Sequence, residues 1–77
     1  MNSKPTIVVA GEPYSIFFEI LFKSIKKINS SIILIASREL LLRQMKQLNY
    51  NFKINLIDKD KINLKEIKKK NINLIDV

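Results

Sequence analysis

The sequence predicts an α/β domain, a largely parallel β-α-β-α-β unit, on three observations. Two apolar runs are unbroken and rich in β-branched residues, Ile7-Val8-Val9-Ala10 and Ile32-Ile33-Leu34-Ile35-Ala36. Such runs suit strands buried on both faces, as in a parallel sheet. Each run ends at a turn or capping signal, and apolar residues then recur at helical spacing. Later segments, Phe52 to Ile57 and Asn71 to Val77, alternate as further strands do.

The first run breaks at Gly11-Glu12-Pro13, a turn-forming triplet. Ile16, Phe17, Ile20, Leu21 and Ile28 then fall at helical spacing, with Glu19, Lys23, Ser24 and Lys27 pointing elsewhere. Ser15 suits an N-cap, and Glu19 to Lys23 is a well-oriented i,i+4 pair. Residues 26–31 form a basic, polar connector. After the second run Ser37 suits an N-cap, with Glu39 in the first turn where the helix dipole favours an anion. The second helix is expected over Glu39 to Leu48. Leu41, Met45 and Leu48 point inward, Leu42 lies beside them, and Arg43 and Lys46 point out. Asn49 stands where a left-handed C-cap is useful. Residues 58–61, Asp-Lys-Asp-Lys, read as a charged turn. Ile62 to Lys70 reads either as one short helix with Leu64 and Ile67 inward or as a solvated connector. KINLID at 53–58 and NINLID at 71–76 match, but the period is too short for a solenoid unit. A biased alphabet produces such matches readily.

Bulk properties narrow the function. The 77 residues make one small domain at most. Below about 70–80 residues a core rarely supplies more than ~3–5 kcal/mol, and a parallel sheet needs cover on both faces. Hydrophobic content of 47% indicates a globular chain. There is no cysteine and no histidine, which excludes a disulfide framework, thiolate or imidazole metal ligation, and a histidine base within these residues. Net charge is +7, which suits an anionic partner such as nucleic acid or a membrane surface. The abundance of Ile, Lys and Asn, the residues of AT-rich codons, accounts for the same charge without one. No stretch reads as an export signal or a membrane span, so the expected compartment is the cytoplasm, with no membrane partner.

Gly11-Glu12-Pro13 is the constellation with most specificity. It holds the chain's single glycine, placed where a strand must turn and a ligand can approach the backbone. The N–H groups opening the next helix could hold an anion; a plain strand-to-helix turn explains the same residues equally well. A dinucleotide fingerprint needs three glycines here, and Ser15 and Phe17 stand in their place. Lys65, Lys68, Lys69 and Lys70 form the densest basic cluster; a nucleic-acid module calls for aromatics interleaved with them or a groove-entering helix, and the nearest aromatics, Tyr50 and Phe52, precede them by more than ten residues. Phe17, Phe18 and Phe22 read as core. Glu12 and Glu19 do not make an acid–base pair, and no catalytic or metal-ligating residue can be assigned.

The segment VVAGEPYSIFFEI resembles the amino-terminal signature of the 4-hydroxythreonine-4-phosphate dehydrogenase family. That signature is a strand, Gly-(Asp/Glu)-Pro, a small residue, Gly-Ile-Gly-Pro-(Glu/Asp), and a helix. Gly11, Glu12, Pro13, Ile16 and Glu19 match it, while Ser15, Phe17 and Phe18 replace two glycines and a proline. IILIASRELLLRQMKQLN is similar to the family's second strand and helix. The resemblance implies the start of a three-layer α/β/α sandwich of isopropylmalate-dehydrogenase type, with residues 1–77 the amino-terminal part of a single, truncated domain. It implies NAD(P)-dependent oxidation and decarboxylation of 4-phosphonooxy-L-threonine in pyridoxine 5′-phosphate (vitamin B6) biosynthesis. It implies NAD or NADP, a divalent metal held by histidines beyond this sequence, and a homodimer. Gly11, Glu12 and Ile16 are then expected near the edge of the cofactor, and the 77 residues alone are expected to be inactive. The competing expectation is a small basic α/β module that binds nucleic acid; receiver-like and flavodoxin-like domains lack their acidic pair and phosphate loop here.

Overall fold

A computed structural model describes residues 5–27, 30–58, 60, 67 and 71–77. Among the described residues four strands and two helices follow in the order β1 (Thr6–Val9), α1 (Tyr14–Ile25), β2 (Ile32–Ala36), α2 (Arg38–Gln47), β3 (Ile54–Leu56) and β4 (Ile72–Asp76). The strands form one sheet in the order β1-β2-β4-β3, every neighbouring pair parallel. The expected parallel α/β character is therefore present. The expected helix at 62–70 lies outside the described residues except for Ile67. So do Ile28, Asn29, Lys59, Lys61, Leu64 and the lysines at 65 and 68–70.

Both helices pack on one face of the sheet. Phe18, Leu21 and Phe22 of α1 and Leu41 and Met45 of α2 meet Leu34 and Ala36 of β2 and Ile72 and Leu74 of β4. Five aromatic rings continue this core. Phe22 lies 5.6 Å from Phe18, 5.2 Å from Tyr50 and 5.4 Å from Phe52, between ring centroids, and Phe17 meets Phe18 edge-on at 5.0 Å. The rings tie α1 to the segment between α2 and β3. The second face is smaller: Ile33, Ile57 and Ile75 are buried there, with Ile35 and Ile67 against them.

One buried polar residue belongs to that second face. Asn73 is fully buried, which is tolerable because its amide is bonded. Its Nδ2 donates to the Ile32 carbonyl at 2.9 Å, and its Oδ1 accepts from Asn55 Nδ2 at 3.0 Å. The two matching INL segments thus lie side by side in register, Ile54 on Ile72, Asn55 on Asn73 and Leu56 on Leu74.

Four expectations need correction. β1 is not buried on both faces, and it is not the centre of the sheet: it is an edge strand, with Ile7 and Val9 65% and 64% exposed. Only Val8 and Ala10 reach the core, because nothing described covers the other face at that edge. The inward stripe of α1 is turned from the one expected. Phe18, Leu21 and Phe22 are buried, whereas Ile16 and Ile20 are exposed. The helix carries more apolar residues than one sheet face can cover, and Phe18, Leu21 and Phe22 take the core. Ser15 is not the N-cap; Pro13 is, at φ −72° and ψ 135°, and Ser15 lies inside the first turn. The proline ring holds φ close to the helical value, so the helix starts directly after it. The strand expected over Phe52 to Ile57 is confined to Ile54–Leu56, because Phe52 is drawn into the aromatic cluster.

The second helix follows its sequence pattern closely. Leu41 and Met45 are buried, and Arg43 and Lys46 are exposed. Asn49 has φ 61°, the left-handed conformation. The Asn49 N–H bonds the Lys46 carbonyl and the Tyr50 N–H bonds the Met45 carbonyl, at 3.3 and 2.9 Å. This is a Schellman closure. No helix among the described residues is long and apolar enough to cross a membrane.

Two substitutions test this account. Phe22→Ala removes the hub of the aromatic cluster and should cost ~3–5 kcal/mol, about what a core of this size supplies; circular dichroism should find the variant unfolded at ambient temperature. Asn49→Gly should hold or raise the melting temperature, whereas Asn49→Val should lower stability by about 1–2 kcal/mol, the cost of a left-handed residue bearing a branched Cβ.

Candidate functional site

Because the strands are parallel, their carboxyl ends share one end of the sheet, where open α/β folds hold ligands. Three features converge there: the loop after β1, the turn at Ser37 after β2, and Val77 after β4. A cleft of about 300 Å³ lies among them. Val9, Ala10 and Tyr14 line one side, Ile35, Ser37 and Leu40 the other, and Val77 also borders it. Its walls are mainly apolar, so it can enclose a flat or aliphatic group more readily than a highly charged one.

Two helix N-termini open at this end and they differ. The α2 terminus is capped by two of the protein's own groups. Ser37 Oγ accepts from the Leu40 N–H at 3.3 Å, as its N-cap pattern predicts, and Asp76 Oδ1 accepts from the Arg38 N–H at 2.8 Å. The α1 terminus has no side-chain cap, since its cap residue is Pro13. The Phe17 N–H is spent on the Pro13 carbonyl, which leaves the first-turn N–H groups of Tyr14, Ser15 and Ile16 ahead of it. Among the described residues a ligand entering the cleft therefore meets three first-turn N–H groups without an acceptor on the α1 side, against that of Glu39 alone on the α2 side.

Gly11, Glu12 and Ile16, the residues expected at a cofactor edge, are all exposed at this end. They flank the cleft in sequence, although Ala10 and Tyr14, not these three, form its wall. The Glu12–Pro13 peptide bond is cis. Gly11 has a revealing environment. Its φ is not positive, and a Cβ built on it meets no atom within 4 Å. Neither backbone conformation nor packing among the described residues calls for glycine there, although glycine costs conformational entropy on folding.

Catalytic groups are sparse. Glu39 is paired with Arg43 at 3.1 Å and Glu19 with Lys23 at 3.7 Å, both on helix surfaces. Ser37 and Asp76 are engaged in capping. The described residues contain no group of three or more His, Cys, Asp or Glu side chains able to hold a metal ion. The arrangement can bind and orient; among the described residues it brings no nucleophile–base pair together. Tyr50 and Phe52, the aromatics closest to the lysine cluster in sequence, are half-buried and pack against Phe22 and each other. The lysine cluster lies outside the described residues.

Asp76 carries no local signal of its role: it falls in a strand pattern, and nothing nearby in sequence says that its carboxylate reaches a helix starting 38 residues earlier. Ser37→Ala should lower stability by about 1 kcal/mol, the usual value of an N-cap. Asp76→Asn, which keeps an acceptor oxygen, should cost less than Asp76→Ala; chemical denaturation of the three variants checks the order.

Comparison with protein families, with curated proteins and with solved structures finds no match for this chain.

Proposed function

We propose that this chain is the amino-terminal part of an NAD(P)-dependent oxidoreductase of the 4-hydroxythreonine-4-phosphate dehydrogenase type. Such an enzyme oxidises 4-phosphonooxy-L-threonine, with decarboxylation, in vitamin B6 biosynthesis. The observation that carries the reading is Gly11. The chain's single glycine sits in Gly-Glu-Pro at the carboxyl end of a parallel strand, and nothing among the described residues requires it. A glycine with no conformational or packing reason among these residues fits a backbone that something outside them must approach.

In this reading Gly11 lets the cofactor reach the loop, and the free N–H groups at the start of α1 face its polar part. Glu12, an acceptor only, suits ligand hydroxyls and opposes a second anion. Ile16, exposed one turn into α1, supplies an apolar edge. The metal would be ligated by residues outside this chain, as would the phosphate of the substrate, so no step is routed through either here. Helices on one face and Ile67 on the other are compatible with the three-layer sandwich of the family, and a cytoplasmic homodimer completes the reading. The basic nucleic-acid module gains no support from the described residues.

The test is the product of the natural reading frame, assayed for NAD(P)-dependent turnover of 4-phosphonooxy-L-threonine. Absence of turnover with either nucleotide and added divalent metal removes the proposal. Gly11→Ala separates function from folding. It should leave stability unchanged or raise it by about 0.4–1 kcal/mol, while the KM for the nucleotide rises at least about tenfold, the equivalent of ~1.4 kcal/mol.

A further inference from the structure

The outer side of β1 is open. Thr6 donates its N–H to the Ser31 carbonyl at 2.8 Å and Ala10 to the Ile35 carbonyl at 3.0 Å. The alternation of a strand then turns the N–H and C=O groups of Ile7 and Val9 away from β2, and no described strand pairs with them. From Pro5 to Gly11 there is no charged residue. The opposite edge, β3, is only three residues long and is flanked by Lys53 and Asp58. Short length and charge are how exposed edges are normally protected, and β1 lacks the charge. Apolar surface continues on both sides of it. On one face Ile7 and Val9 stand exposed beside half-buried Ile35. On the other, Ile20 stands over a groove of about 250 Å³ formed with Val8, Phe17 and Leu21.

Topology says what fits. The connections β1 to β2 and β2 to β3 step across the sheet in one direction, and their helices share one face. The connection β3 to β4 steps back, and its Ile67 packs on the other face. A unit leading from β4 to the outer side of β1 also steps back. A right-handed crossover therefore places it on that same second face, over Ile35, Ile7 and Val9. A second copy of the chain fits less well. Two β1 edges would meet along the side of a body 20 Å thick. Over a four-residue strand that is roughly 300 Å² of flat contact, where a stable interface takes about 800 Å² per partner. It would also leave the face at Ile7 and Val9 bare.

We infer that the β1 edge receives one further helix–strand unit from the rest of the enzyme. An uncharged extended strand pairs with Ile7 and Val9, and an amphipathic helix lies over their side chains and Ile35. The inference rests on the reading of the chain as part of a longer oxidoreductase.

The experiment compares the product of the natural reading frame with the 77-residue chain, by amide hydrogen exchange and by thermal melting of Val9→Lys. In the 77-residue chain the Ile7 and Val9 amides should exchange freely and Val9→Lys should be neutral. In the longer product both amides should be slowed at least about 100-fold, and Val9→Lys should lower the melting temperature by at least about 4 °C. Leu42→Lys, at an exposed site on α2 away from the edge, is the control and should be neutral in both. Free exchange at Ile7 and Val9 in an active longer product overturns the inference and leaves the functional reading standing. Protected amides in an inactive product do the reverse. A natural product ending at Val77 removes both. Self-association of the 77-residue chain that Val9→Lys abolishes gives the edge to a second copy and overturns the inference.

Discussion

β4 is the last strand in sequence and one of the two middle strands in space. It lies between β2 and β3, and β3 has no other partner in the sheet. Ile32 pairs with Ile72 and Ala36 with Asp76, across most of the chain. Until β4 is in place, β3 has no ladder and α2 lacks Asp76 at its N-terminus. Ile72 and Leu74 also complete the core beneath the helices. The described strands are therefore joined into one sheet through contacts of long sequence separation. Such contacts must meet the loop-closure entropy before they give anything back.

This dependence organises the ligand-facing end of the molecule. Once β2 and β4 are paired, Ser37 and Asp76 lie side by side and cap the N-terminus of α2. The equivalent position at α1 stays open, because Pro13 starts that helix without a side chain that can accept a hydrogen bond. The difference between the two helix ends gives the cleft a direction. Among the described residues, uncapped backbone donors lie on the side of Gly11 and Glu12, and a wall capped by Ser37 and Asp76 lies on the other.

Much of this was legible in the residues. Unbroken β-branched runs identified β1 and β2, Ser37 identified its cap, and Asn49 its left-handed closure, because each depends on neighbours a few positions away. What could not be read depends on partners distant in sequence. The edge position of β1 depends on which strands flank it, and an apolar run looks the same whether its second face is covered or bare. The rotation of α1 was ambiguous because Ile16, Phe17, Phe18, Ile20, Leu21 and Phe22 leave little polar contrast to orient the helix. At the candidate site the Gly-Glu-Pro loop was visible as a motif. The cleft wall and the reach of Asp76 were not, since they arise only when the strand ends are brought together.

The side-by-side placement of the two INL segments has a kinetic side. KINLID and NINLID differ only in their first residue, so either hexapeptide could occupy the slot beside β2 with the same side chains facing each layer. A chain that inserted the earlier copy first would make nearly native contacts in the wrong topological order. It would have to undo them before the later copy could enter. The local sequence of the two strands does not by itself distinguish the slot beside β2 from the edge position.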